Sequence, residues 1–232
     1  EQVRTMIQSG LRRTGYDEVS LTSLSTADFS GIEQVTSAIN PAGCGTSDTI
    51  SISLPSLRVD AFTVGLAGQV STGRRSGLTF APEAGSWRLR QVINKLITEE
   101  DLYGAVESAF SQGWYRAKLY FLTGLPTESD IDTTGIVDLA RNCVQIGRKH
   151  TNRASVTVSL GGFVPKPHTP FQWFGQNTTE ELRRKVQLVR DAGQRAKGVT
   201  VKWHDPAATL AEGIAARGDR RIGNVMERVW RA

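Results

Sequence analysis

Runs of β-forming residues, each followed by a longer stretch at helical spacing, recur along the whole chain. They are EVSLTSLS (18–25), TISISLPS (49–56), GLTFAPE (77–83), RAKLYFLTG (116–124), SVTVSLGGF (155–163) and VTVKWHD (199–205). Such alternation is the mark of βαβ units, so the chain is expected to fold as an α/β domain around a parallel sheet. Right-handed crossovers would curl six strands into a barrel or lay them out as an open doubly wound sheet.

The intervening segments read as helices. Residues 1–14 place Val3, Met6, Ile7 and Leu11 on one face and stop at Gly15. Residues 29–39 and 60–71 follow the same logic. Ser86 is placed to cap 87–95, and Thr98 with Asp101 forms a capping box for 99–112. Residues 129–149 are expected to turn Ile131, Ile136, Leu139, Val144 and Ile146 to the core. Thr178 or Thr179 opens a basic helix that runs to 197, and helices fill 207–217 and 219–231. No repeat, linker or low-complexity tract divides the chain, so residues 1–232 are read as one domain.

Composition narrows the classes. At 39% hydrophobic and 22% charged residues, the chain can bury a core and is not disordered. No run reaches the apolar length of a membrane span, and the charged start EQVRTMIQSG has no signal core, which points to a cytoplasmic protein. A net charge of +5 permits an anionic partner. Cys44 and Cys143 are far apart in sequence with no CxxC motif, which excludes a zinc ribbon and argues against a disulfide framework.

Parallel α/β folds place their sites beyond the C-terminal ends of the strands. The polar residues there include Ser23 and Ser25; Ser53, Ser56 and Arg58; Glu83; Thr123, Gly124 and Glu128; Lys166 and His168; and His204 and Asp205. Plainer roles compete for each. Serines at strand ends cap helices, and Glu83 could be a first-turn acid. The turn at 124–128 is of a common make, and the prolines of VPKPHTP stiffen a loop. His204 and Asp205 resemble a base with its orienting carboxylate, but neighbours on a strand point to opposite faces. The basic helix 180–197 is first a solvated face. It would suit nucleic acid only with exposed aromatics near it, such as Trp173 and Phe174.

Several segments, in register, resemble the radical S-adenosylmethionine enzymes. APEAGSWRLRQVINKLITEEDL (81–102) is similar to the family's fourth-strand segment, with Leu96 where glycine is usual. KLYFLTGLPTESDID (118–132) resembles its fifth-strand "GLP-x-E-T" segment. VSLGGFVPKPHTPFQW (158–173) resembles the sixth-strand "F-x-P-x-P-x-T-P" segment, with His168 in a common glycine place. SLPSLRVD (53–60) and VKWHDPAATLAEGIAARGDRR (201–221) look like the uncharacterised subgroup that carries an N-terminal cobalamin-binding-like domain.

The resemblance implies a partial TIM-type (βα) barrel of parallel strands. It implies reductive cleavage of S-adenosylmethionine, by a [4Fe–4S] cluster, to a 5′-deoxyadenosyl radical acting on an unknown substrate. By matching position, Ser53, Arg58, Glu83, Ser86, Thr123, Gly124 and Glu128 would face S-adenosylmethionine, with Lys166, His168 and His204 on the substrate side. The family's CxxxCxxC motif is absent, and the chain opens on a helix with no strand before it. The expectation is therefore a piece of a longer enzyme that lacks its first strand and cluster loop. As it stands it would bind no cluster or other metal and would be inactive. Three alternatives stand beside this: a relative of the methylthiotransferases that modify RNA or protein, a non-catalytic barrel used for binding or assembly, and a barrel hydrolase built on Glu83 and Asp205.

Overall fold

The computed structural model describes residues 1–22, 29–39, 50–53 and 78–232. Helix α1 (Gln2–Thr14) leads into strand β1 (Glu18–Ser20), helix α2 (Ile32–Ile39) and strand β2 (Ser51–Ser53). Strand β3 (Leu78–Glu83) is followed by α3 (Trp87–Val92) and α4 (Glu99–Ser111), and β4 (Arg116–Thr123) by α5 (Asp130–Arg148). Strand β5 (Ser155–Gly162), a 3-10 turn (Pro170–Trp173), α6 (Thr179–Gln194) and β6 (Val199–Trp203) come next, then α7 (Pro206–Arg217) and α8 (Ile222–Arg231).

The fold is α/β. Strands β3-β4-β5-β6 lie side by side in chain order, every pair parallel, and β1 and β2 form a separate parallel pair. Parallel neighbours need a crossover, and α3 with α4, α5 and α6 supply the three that the larger sheet requires. In register, Ala117, Leu119 and Phe121 of β4 share one face with Val156, Val158 and Leu160 of β5. That face packs on Val106, Ile136, Ala140, Val144 and Val189 of the helices in the main core. Ile7, Ile32, Ile39 and Ile52 belong to the same apolar cluster.

Caps explain where the helices start. Thr98 accepts from the Asp101 N–H at 3.1 Å while Asp101 accepts from the Thr98 N–H at 2.9 Å, the reciprocal pair expected. Thr178, not Thr179, caps α6 through the Glu181 N–H. Asp205 accepts from the Ala207 N–H at 2.9 Å with Pro206 at the first helical position, so the last strand stops at Trp203. Asp205 is a helix cap, and its side-chain bond goes to the Ala207 N–H and not to His204, so the expected base and orienting carboxylate are not paired.

One core assignment needs correction. Ile131 is 81% exposed, whereas Ile136, Leu139 and Val144 are buried. Five residues at 3.6 per turn put Ile131 about 140° round α5 from Ile136, so it cannot share the core stripe. In α1, Ile7 is buried, but Val3 and Met6 are 42% and 66% exposed. The readings of Ser23, Ser25, Cys44, Ser56, Arg58 and the helix at 60–71 lie outside the described residues. Among those residues, no helix is long and apolar enough to cross a membrane.

Candidate functional site at the strand ends

The C-terminal ends of β3, β4 and β5 run into a second, smaller apolar cluster. It contains Ala84, Leu89, Leu125 and Phe163, with Ile93, Leu122 and Phe171 packed against it. Phe171 meets Phe163 and Phe174 edge-on, with centroids 6.1 and 5.6 Å apart. Its members Ala84, Leu125 and Phe163 directly follow Glu83, Gly124 and Gly162, the ends of the three strands.

Glu83 ends β3 in the left-handed backbone region, at φ 69°, where the Ala84 N–H donates to the Pro82 carbonyl at 2.9 Å. A two-residue hydrogen bond across a positive φ is the strained form of γ-turn, and a non-glycine residue held there costs about 1–3 kcal/mol. Burial raises the Glu83 carboxyl above its usual range, and Lys95, with Nζ 3.5 Å away, only partly offsets this. Glu83 thus combines a strained backbone, partial exposure and an ion pair to Lys95.

The turn that carries Glu83 is clamped onto the N-terminus of α5. Ser86 caps α3 by accepting from the Leu89 N–H at 3.2 Å, and its hydroxyl donates to Asp132. Asp132 also accepts from the Ser129 N–H and hydroxyl, at 2.8 and 2.7 Å, and from Arg88 at 2.5 Å. Ser86 is thus engaged within the protein on both sides, and its match to a cofactor contact rests on position alone. Burial disfavours the Asp132 charge, yet the bonds from Arg88, Ser86 and Ser129 outweigh it and hold the carboxyl well below the usual range. Beneath the turn, the buried Arg90 donates to the Ala84 carbonyl at 3.1 Å.

Asp132→Asn is expected to cost about 2–3 kcal/mol, from a damaged cap and weakened charge-assisted bonds. The depressed pKa sets the pH signature. The Asp132 contribution is complete above the ordinary carboxylate range, near pH 4, and is lost as acid takes the folded group through its lower value. The gap in melting temperature between wild type and variant should narrow as the solution is acidified below that range. A constant gap would show that the Asp132 charge contributes nothing.

The β4 turn is locked in a different way. Gly124 has φ 85°, and its N–H donates to Glu128 Oε2 at 2.6 Å. The buried Thr123 hydroxyl lies 3.4 Å from the same oxygen, and Lys185 Nζ of α6 lies 2.6 Å from it. The Glu128 and Lys185 side chains are only 1% and 5% exposed. Burial pushes the Glu128 carboxyl up, while Lys185 and Gly124 pull it back. Thr123, Gly124 and Glu128 are therefore brought together as expected. The Thr123 and Glu128 side chains face inward and fix the turn's backbone at Gly124.

The substrate-side trio is more dispersed. Lys166 pairs with Glu212 of α7. His168 has φ 60°, and its N–H donates to Gln172 at 3.1 Å, leaving an exposed ring. His204, also exposed, donates its N–H to the Leu160 carbonyl and borders a small recess with Thr123, Gly162 and Thr209. Ser53 closes β2 at its C-terminal end, beside Ser20.

The chain's cysteines do not suit an iron–sulfur cluster. Cys143 is buried in the middle of α5, and burial pushes its thiol up to about 12. A cluster of the implied type needs three thiolates, and Cys44 is the one other cysteine in the sequence. Among the described residues, no group of three or more His, Cys, Asp or Glu side chains is placed to hold a metal ion.

No family model matches the chain. Over 226 residues it is 29% identical to the uncharacterised protein MJ0966 of Methanocaldococcus jannaschii. That alignment takes in 96% of this chain and 46% of MJ0966, so the chain spans less than half the length of this relative.

Proposed function

We propose that these residues form the greater part of a radical S-adenosylmethionine barrel, and that the strand-end edge holds S-adenosylmethionine. The observation that carries the reading is Glu83. It is a strained, half-buried acid at the end of a parallel strand, beside an apolar cluster and next to a turn whose backbone is fixed by buried partners. A carboxylate there accepts hydrogen bonds from an amino group or from ribose hydroxyls, and the apolar cluster takes the flat adenine.

When bound, the family's cluster supplies the electron that splits the cofactor. The residues of this chain do not provide its ligands, so the reading requires cysteines elsewhere in a longer protein. A relative more than twice as long as its matched segment is consistent with that.

The test is S-adenosylmethionine binding by the full-length protein, reconstituted anaerobically with iron and sulfide. Glu83→Ala should weaken binding roughly tenfold, the loss expected for one hydrogen bond to a charged group. Unchanged affinity removes Glu83 from the site. A full-length protein with no brown chromophore and no 5′-deoxyadenosine release would favour a binding barrel instead. A stability readout separates function from scaffold. The Glu83 carboxyl has a raised pKa in the fold, so its charge lowers stability as pH rises through that value. Glu83→Gln should therefore melt no lower than wild type at neutral pH, even as binding falls.

A further inference from the structure

Parallel sheets are almost always covered by apolar layers on both faces. Among the described residues, the four-stranded sheet departs from this on one side. Opposite the helix-packed face, β4 presents Lys118 and Tyr120, β5 presents Thr157 and Ser159, and β6 presents Thr200 and Lys202. The register aligns Lys118, Thr157 and Thr200 on one rung, and Tyr120, Ser159 and Lys202 on the next. Thr200 and Lys202 are exposed, Tyr120 is 39% exposed, and Lys118 is half-buried.

Neither ammonium group has a carboxylate partner among the described residues. Lys118 donates to the Tyr120 hydroxyl at 2.7 Å and lies 4.3 Å from that ring's centre. Ser159, 5% exposed, lies on β5 between the two strands that carry the lysines. An apolar layer over this face would bury two charges that have no carboxylate partner among the described residues, at a cost of several kcal/mol each. The face is therefore built for water or for a polar ligand.

We propose that it binds a small phosphate-bearing ligand between Lys118 and Lys202. The lysines lie two strands and one rung apart, about 12 Å between Cα atoms from ordinary sheet spacings. Two extended lysine side chains close that gap onto one anion. Lysine binds phosphate as a point charge, whereas the planar fork that suits a carboxylate belongs to arginine. Arg116, at the start of β4, is turned onto Tyr115, 5.2 Å from the ring centre. The hydroxyls of Tyr120, Thr157 and Ser159 add donors for the three acceptor oxygens of a phosphate group. In the barrel of the preceding section this face would be the inner wall, and the ligand would be the substrate. The binding itself rests on the sheet face and not on that reading.

The experiment is calorimetric titration of inorganic pyrophosphate into the protein at low ionic strength. Binding is expected, and Lys118→Met and Lys202→Met should each weaken it about tenfold or more. Lys149→Met, at the far end of α5, should change it little. Because Lys118 is half-buried, Lys202→Met and Ser159→Ala carry the result if Lys118→Met melts early. Equal affinity in wild type and all these variants overturns the proposal. So do equal losses in Lys149→Met, which would mark diffuse charge attraction, and citrate binding as tight as pyrophosphate. S-adenosylmethionine binding, measured in parallel, should survive Lys202→Met. If the full-length, reconstituted wild type binds pyrophosphate but not S-adenosylmethionine, the strand-end reading fails and this one stands.

Discussion

Gly85→Ala is expected to cost more than about 3 kcal/mol, a large share of the stability of a whole domain. A Cβ on Gly85 would lie 2.2 Å from the Asp132 carbonyl oxygen and 2.5 Å from the Ile136 nitrogen. Both are backbone atoms of α5, so relief requires the helix to move and not a side chain to rotate. Gly135 on α5 is the reciprocal contact, its Cβ position 2.8 Å from the Gly85 carbonyl oxygen. The helix and the Glu83 turn touch backbone to backbone, and the clamp formed by Ser86, Arg88 and Asp132 needs that approach. Gly104→Ala is the matched control. It lies on the solvent side of α4 with nothing within 4 Å of its Cβ position, so it should stabilise by about 0.5–1 kcal/mol. Urea unfolding of both variants checks the pair. A Gly85→Ala midpoint equal to wild type would mean that α5 does not hold this turn as described.

Most of the fold is readable from the order of residues because its signals are local. Period-two runs, capping residues and Gly15 each act within a few positions, and β3 to β6 fall inside the runs expected for them. Where tertiary geometry decides, local signals mislead. Ile131 is apolar and lies inside α5, but the helical angle places it opposite the core. His204 and Asp205 looked like a pair until Pro206 and the cap at Asp205 ended the strand before them.

The site divides in the same way. Glu83 and the 124–128 turn are visible as polar residues at strand ends. The groups that hold them, Arg90, Asp132 and Lys185, come from other elements, and their partners cannot be read from local sequence. Asp132 had a signal, since Ser129 followed by Asp three residues later repeats the Thr98 and Asp101 pattern. Lys185 had one too, for it lies on the apolar stripe of α6 with Leu182, Val186 and Val189. A lysine on a buried stripe requires an acid from elsewhere in the fold. The cationic face of the sheet was hidden for a related reason. Lys118 and Lys202 belong to different strands, and only the register of β4, β5 and β6 brings them onto one surface.

Removing the ammonium of Lys185 should be a costly polar change, because it leaves a buried charge without its partner. Lys185→Met leaves the Glu128 carboxylate, 1% exposed, with only the Gly124 N–H and the Thr123 hydroxyl. A buried charge stripped of its counter-ion typically costs 3–5 kcal/mol. Glu128 can limit the loss by taking a proton, and that sets the pH dependence. Its folded pKa is already raised by burial and will rise further without Lys185, well above the unfolded value. Stability of the variant should therefore be greatest below the ordinary Glu range and fall as pH rises through the raised value. The second substitution decides the cause. Lys185→Met with Glu128→Gln replaces the pair by neutral groups, and it should recover most of the lost stability and abolish the pH slope. Glutamine retains an acceptor for the Gly124 N–H, so the turn at the β4 end is kept. If the double variant is as unstable as Lys185→Met, lost packing of the lysine stem is responsible and the buried charge is not.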